Sequence, residues 1–206
     1  MARQIPLPLT AASEPGRIVV GNANAKVLDA LGQSAHWPYR TALLAGPPRS
    51  GKSLLARWFA DSTGGEAIDD VERVDETDLF HRWNRAQEMG TPLLLVVNAP
   101  AGGWTVRLPD LASRLGAALH LEIGTPDDAM LADLIALHAE RRGFALGPDA
   151  AAYLVPRVER SHLGAEQIVA TIDRLSLERK QPPTLSIWRD ALEELRGPGQ
   201  PGLFGD

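Results

Sequence analysis

The sequence predicts an α/β fold: a parallel-sheet core built around one glycine-rich loop, followed by a small all-helical lid domain. Three observations predict it. Gly46-Pro47-Pro48-Arg49-Ser50-Gly51-Lys52-Ser53 has the G-x-x-x-x-G-K-S spacing of a loop that joins a strand to a helix. Pro92 to Val97 is an unbroken apolar run, the pattern of a strand covered on both faces of a parallel sheet. After Pro126 only helical periodicity remains.

The elements follow in order. Residues 1–16 read as a flexible tail, because the alternating prolines of Gln4-Ile5-Pro6-Leu7-Pro8-Leu9 force extended backbone. Ile18-Val19-Val20 is a short apolar stretch, and Asn22 is placed to cap a helix carrying Val27, Leu28 and Leu31 on one face. Thr41 to Ala45 is a buried strand entering the glycine loop, and Leu54, Leu55, Trp58 and Phe59 continue as a helix from it. Ala67-Ile68 ends a very short strand before Asp69-Asp70. Asp75 opens a helix with Leu79, Phe80, Trp83 and Ala86 inward, and Gly90 closes it. Leu108 to Leu115 is a short helix and Leu119 to Ile123 the next strand. Helices near 127–142, 149–158, 162–180 and 184–195 complete the lid. The domains are therefore 1–16, a core over 17–125, a lid over 126–196 and a Gly/Pro-rich tail over 197–206.

Bulk properties exclude several classes. The chain has 206 residues, 44% of them hydrophobic, enough for one α/β domain and a helical annex. With no cysteine, there is no disulfide framework, thiolate metal site or thiol nucleophile. No apolar run reaches the length of a membrane span, so a cytoplasmic protein is the plain reading. Net charge is −5 and the charges are interspersed, which argues against direct recognition of duplex DNA. The five histidines show no metal-ligand spacing.

The glycine loop carries the chemistry. A phosphate needs several backbone N–H groups aimed at one spot; the loop of Gly46, Pro47, Pro48, Arg49, Ser50 and Gly51 can wrap closely around it, the glycines giving the room and the non-proline residues the N–H groups. Lys52 neutralises β- and γ-phosphates, Ser53 offers a hydroxyl to Mg²⁺, and Leu54 continues the helix N-terminus. ADP or ATP with Mg²⁺ is the expected ligand. Phosphoryl transfer needs one carboxylate to hold Mg²⁺ through water and another to orient the attacking water; Asp69 suits the first role and Asp70 the second, unless the pair only caps a turn. Asn98 ends the strongest strand, at the sheet edge where ligands bind, and either positions that water or closes a turn before Pro100.

Several stretches together resemble the AAA+ module of DnaA-related proteins, and more closely the Hda-type regulators of replication initiation. Gln4, Ile5, Leu7, Pro8 and Leu9 lie in a tail similar to the Hda sliding-clamp motif. Val19-Val20-Gly21-Asn22-Ala23-Asn24 resembles the adenine-flanking segment, which makes Val19 and Val20 nucleotide contacts. Leu108-Pro109-Asp110-Leu111-Ala112-Ser113-Arg114-Leu115 resembles the arginine-finger stretch. Arg142-Gly143-Phe144 and Thr171-Ile172-Asp173-Arg174-Leu175 resemble Hda lid segments. The resemblance implies a P-loop AAA+ fold and a regulator that joins the DNA polymerase III sliding clamp and makes DnaA hydrolyse its ATP. It leaves a homodimer open and implies weak ATPase activity, or activation of hydrolysis in a partner. Arg114 would then reach across a subunit boundary to the γ-phosphate, a role that can supply a rate factor of about 10³–10⁵; the bland alternative pairs it with Asp110 one turn earlier. The clamp tail would use Leu7 and Leu9 in apolar pockets and the Gln4 amide for directional hydrogen bonds. Gln200-Pro201-Gly202-Leu203-Phe204 has the look of a second clamp peptide.

The departures from the family carry expectations too. The short stretch from Ser53 to Asp69 leaves out one sheet strand, a helix and the single-strand DNA contacts of DnaA, and no helix-turn-helix domain follows the lid. The lid's nucleotide-sensing arginine falls near Leu163, where none stands, and Arg160 is the nearby substitute. A P-loop kinase of a small metabolite and a clamp-binding adaptor with a vestigial nucleotide site are the competing readings.

Overall fold

The computed structural model describes residues 3–5, 17–99 and 103–197, with side chains from 17 onward. The chain divides into two compact units, Arg3–Gly124 and one that begins at Thr125.

In the first unit, β1 (Arg3–Ile5) pairs antiparallel with β2 (Ile18–Val20), with Gln4 opposite Val19 and Ile5 opposite Ile18. Three residues expected in a free tail are therefore held as a strand; Ile5, the residue before Pro6, is biased to the extended backbone a β-ladder needs. Leu7, Pro8 and Leu9 lie outside the described residues, as does Gln200–Phe204.

Helix α1 (Ala25–Gly32) buries Val27 and Leu31, as their spacing requires. It starts after Asn24, not Asn22. Asn24 does not cap it: its Oδ1 accepts from the Gly21 N–H and its Nδ2 donates to the Val19 carbonyl (2.8 Å), so the side chain ties the β2–α1 turn instead.

The main sheet has four parallel strands: β3 (Thr41–Ala45), β4 (Glu66–Ile68), β5 (Leu93–Val96) and β6 (Leu119–Glu122), in the order β4-β5-β3-β6. The central strands are sealed, with Leu44 and Leu93 to Val96 all at 0% exposure, while β6 at the edge alternates half-buried and exposed. Helix α2 (Lys52–Thr63) leaves the glycine loop, α3 (Glu76–Met89) crosses from β4 to β5, and α4 (Pro109–Gly116) leads into β6. Asp75 caps α3 by accepting from the Thr77 and Asp78 N–H groups, and Gly90 at φ 65° ends it. Leu79, Trp83 and Ala86 of α3 pack with Leu111 and Leu115 of α4 against β5.

The second unit is all helical: α5 (Asp128–Arg141), α6 (Pro148–Leu154), α7 (His162–Arg179) and α8 (Leu185–Arg196). Helix α6 stops four residues short of the expected 158: Val155 still has helical backbone, but Pro156 has no N–H with which to continue the ladder. Arg142 pairs with Asp173 at 3.3 Å, joining the end of α5 to α7. Arg160 pairs with Asp128 of the same unit.

Candidate functional site

Parallel strands deliver their carboxyl ends to one edge, where ligands of open α/β sheets bind. Here the order β4-β5-β3 sets Asp69, Asn98 and the glycine loop side by side on that edge.

The loop is built around Gly46. A Cβ there would stand 2.8 Å from the Ile123 Cβ and 3.3 Å from the Ser50 Oγ, so the loop passes too close to the end of β6 for any other residue. Gly51 enters α2 at φ 87° and Arg49 sits at φ 63°, both left-handed. No side chain caps the N-terminus of α2, which leaves its first-turn N–H groups, including those of Ser53 and Leu54, to the loop's cavity. Ser53 is exposed, as are Pro48 and Arg49. Ser50 is buried, and its Oγ has no hydrogen-bond partner among the described residues. An orphaned hydroxyl, open amides and a glycine that admits no side chain are the features of an oxyanion cradle.

Lys52 points into this cradle and is only 6% exposed. Its Nζ donates to the Gly46 carbonyl at 2.8 Å and the Pro47 carbonyl at 3.0 Å. Burial pulls the ammonium below its ordinary pKa, while the charges of Asp69, Glu72 and Asp70 push it back up. The cation of the loop thus faces the carboxylates that follow β4.

Those carboxylates meet Asn98. Its Nδ2 donates to the Asp69 Oδ1 at 2.9 Å and the Asp70 Oδ1 at 2.8 Å. Asp70 sits in the left-handed region at φ 49° and its carboxylate also lies 3.7 Å from Arg73. Neither aspartate acts as a helix cap: Asp69 accepts from the next N–H, that of Asp70, and Asp75 caps α3. The structure therefore brings together Lys52, Asp69, Asp70 and Asn98. It adds Glu72, which sequence reasoning did not single out; the Asp-Asp-Val-Glu run placed a third carboxylate within reach but gave no direction to it.

Val19 and Val20 are tied to the same edge indirectly. Asn24 holds the Val19 carbonyl, and the Gly124 N–H beyond β6 donates to the Ala23 carbonyl at 2.9 Å. Arg114 lies apart from these groups in its contacts. Its guanidinium donates to the Asn84 Oδ1 and stacks 4.5 Å from the Phe80 ring and 4.3 Å from the Trp83 ring, all on α3. It has no ion pair with Asp110 among the described contacts, because two aromatic faces and an amide on the neighbouring helix offer more than one exposed carboxylate.

Among the described residues no group of three or more His, Asp or Glu side chains is arranged to hold a metal ion by itself. Ser53 and Asp69 suit Mg²⁺ only as partial ligands, completed by phosphate and water.

The fold is that of AAA+ P-loop modules. Domain III of the Thermotoga maritima replication initiation protein DnaA is similar over 87% of this chain and 95% of its own, with a TM-score of 0.67 and 15% identity. The Thermotoga maritima RuvB Holliday junction branch migration motor is similar over 85% of this chain and 70% of its own, with a TM-score of 0.61 and 20% identity. AMPPCP-bound DnaA from Aquifex aeolicus is similar over 79% of this chain and 66% of its own, with a TM-score of 0.58 and 15% identity. In sequence, an uncharacterized protein of Haemophilus influenzae is 29% identical over 124 residues, which is 57% of this chain and 54% of that relative. The chain thus matches about half the length of that curated relative. No protein-family model matches. Among the described residues no helix is long and apolar enough to cross a membrane.

Proposed function

We propose that this chain is a nucleotide-binding AAA+ regulator of chromosome replication initiation, of the DnaA-related Hda type. It holds ADP or ATP, is tethered to the polymerase sliding clamp through Gln4–Leu9, and promotes hydrolysis of DnaA-bound ATP. The observation that carries the nucleotide reading is the convergence of Lys52, Asp69, Asp70 and Asn98 beside an open phosphate cradle. The DnaA domain fold and the Hda-like motifs support the rest.

The residues divide the work. The loop amides and Lys52 bind and orient the phosphates, and Lys52 must exchange the Gly46 and Pro47 carbonyls for phosphate oxygens. Ser53 and Asp69 would hold Mg²⁺, which when bound neutralises phosphate charge. Asn98 fixes Asp69 and Asp70 against each other. An Asp70 carboxylate engaged by both Asn98 and Arg73 is poorly free to orient water, which fits slow intrinsic turnover and a role in switching a partner. Arg114 must leave the α3 aromatics to act on a partner's nucleotide.

One observation favours the adaptor reading: Lys52 already satisfies itself inside the loop, so a vestigial site would look the same. Titration with ADP separates the two readings. Capture on immobilised clamp separates both from a small-metabolite kinase, which has no use for Gln4–Leu9.

A further inference from the structure

We propose that Glu72 is a positioning residue of the nucleotide site: its carboxylate holds the main chain of Asn98 so that the Asn98 amide bridges Asp69 and Asp70. The inference deepens the nucleotide reading given above and rests on it for its binding consequence.

The end of β5 leaves one main-chain donor outside the sheet ladder. In a parallel sheet, successive N–H groups of a strand point alternately to its two neighbours. The Val97 N–H donates to the Leu44 carbonyl of β3 at 2.9 Å. The next N–H, that of Asn98, therefore points to the β4 side. There the ladder has already ended, since β4 stops at Ile68, the partner of Leu95. A main-chain donor at the site would be left to water.

Glu72 fills that place. Its Oε2 accepts the Asn98 N–H at 3.2 Å. The chain reaches the position by a sharp reversal: Asp70 takes left-handed backbone at φ 49°, and Val71, at 0% exposure, pins the following turn Val71–Arg73 into the core. Glu72 thus extends the work of β4 beyond its last residue with a side chain. From that fixed backbone the Asn98 Nδ2 donates to both carboxylates, at 2.9 Å to Asp69 and 2.8 Å to Asp70. Glu72 also bears on Lys52 as a negative charge, so its reach and its charge must be tested separately.

Three variants of the full chain separate them. Glu72→Gln keeps the reach and an acceptor oxygen but loses the charge. Glu72→Asp keeps the charge and is one methylene too short to reach the Asn98 N–H. Glu72→Ala loses both. The first readout is the Asn98 main-chain and side-chain amide signals in a ¹⁵N-correlated NMR spectrum, the side-chain pair assigned by its loss in Asn98→Ala and the main-chain signal by sequential assignment. The second is ADP affinity by calorimetry. Positioning predicts Asn98 signals and ADP affinity close to wild type in Glu72→Gln. In Glu72→Asp and Glu72→Ala it predicts displaced Asn98 signals and ADP binding about fivefold weaker. The opposite order, with Glu72→Asp near wild type and Glu72→Gln impaired, would assign Glu72 to charge alone and overturn the proposal. Undisturbed Asn98 signals in Glu72→Asp would overturn it as well. If wild type binds no ADP, the nucleotide reading fails, and the NMR order still decides whether Glu72 positions Asn98.

Discussion

Replacing Lys52 with methionine isolates what the loop's cation contributes. Methionine keeps most of the stem and removes the ammonium. In the free protein two effects oppose each other: relief from burying a cation, and loss of attraction to Asp69, Glu72 and Asp70. Loss of the hydrogen bonds to the Gly46 and Pro47 carbonyls adds to the second effect, so the free protein should be destabilised modestly, by about 1 kcal/mol. With nucleotide the effects no longer cancel. A hydrogen bond to a charged group contributes roughly 1.5–3 kcal/mol. Lys52 gives up carbonyl partners at 2.8 and 3.0 Å to bind phosphate, so the net gain falls at the lower end, about 1.5–2 kcal/mol. At ~1.4 kcal/mol per tenfold, Lys52→Met should bind ADP about 10–30-fold more weakly. Calorimetric titration measures the affinity, and thermal melting with and without ADP checks that the free protein is intact. Equal affinities for the two proteins would refute the cradle reading and leave the loop vestigial.

Other outcomes follow from single sites. Gly65→Ala would put a Cβ 2.5 Å from a ring carbon of Phe59 and 2.9 Å from the Pro92 carbonyl; Phe59 is stacked on Trp37 and cannot yield, so urea unfolding should show a loss of about 1–3 kcal/mol, and an unchanged midpoint would mean the β4 entry is misplaced. Arg114→Ala should abolish stimulation of DnaA hydrolysis while leaving ADP and clamp binding intact; because Arg114 also covers Phe80 and Trp83, it should cost about 1 kcal/mol of stability as well, and surviving stimulation would make it only a packing residue. Gln4→Ala with Leu7→Ala should abolish clamp capture without lowering the melting temperature of the core, and undiminished capture would remove the tether from the account. Asp75 is held below the ordinary carboxylate value by the Thr77 and Asp78 N–H groups, so its cap contribution is complete above the unfolded pKa of 3.8 and is lost as pH falls through the lower folded value. Acid unfolding of Asp75→Asn, which keeps an acceptor, should lack that part of the pH dependence, and matching acid profiles for the two proteins would contradict it.

The sheet and the loop were legible because their signals are local. A strand-loop-helix is written in contiguous residues at Thr41 to Phe59, and full burial of β5 in its unbroken apolar run. Asp69 and Asn98 could be set at one edge because parallel strands share a carboxyl end. What stayed hidden depends on tertiary endings. Glu72 meets Asn98 only because β4 stops short of the end of β5, a matter of register that no window of sequence contains. Arg114 reads as a partner of Asp110 on its own helix, yet Phe80, Trp83 and Asn84 come from α3, thirty residues away at Asn84. Asn22 reads as the cap of α1, yet the helix starts after Asn24, whose side chain the Val19 carbonyl and the Gly21 N–H hold in the turn. Pro156, by contrast, was a written stop signal that helical periodicity overran.

In the proposed function this chain uses its nucleotide site to switch DnaA. The most direct test loads DnaA with radiolabelled ATP and follows its conversion to ADP with clamp on DNA and ADP-loaded wild-type protein, against reactions lacking either component or containing Lys52→Met. Rapid conversion is expected only when wild-type protein and loaded clamp are both present, with Lys52→Met slowed at limiting ADP. Conversion at the same rate with and without this protein would contradict it.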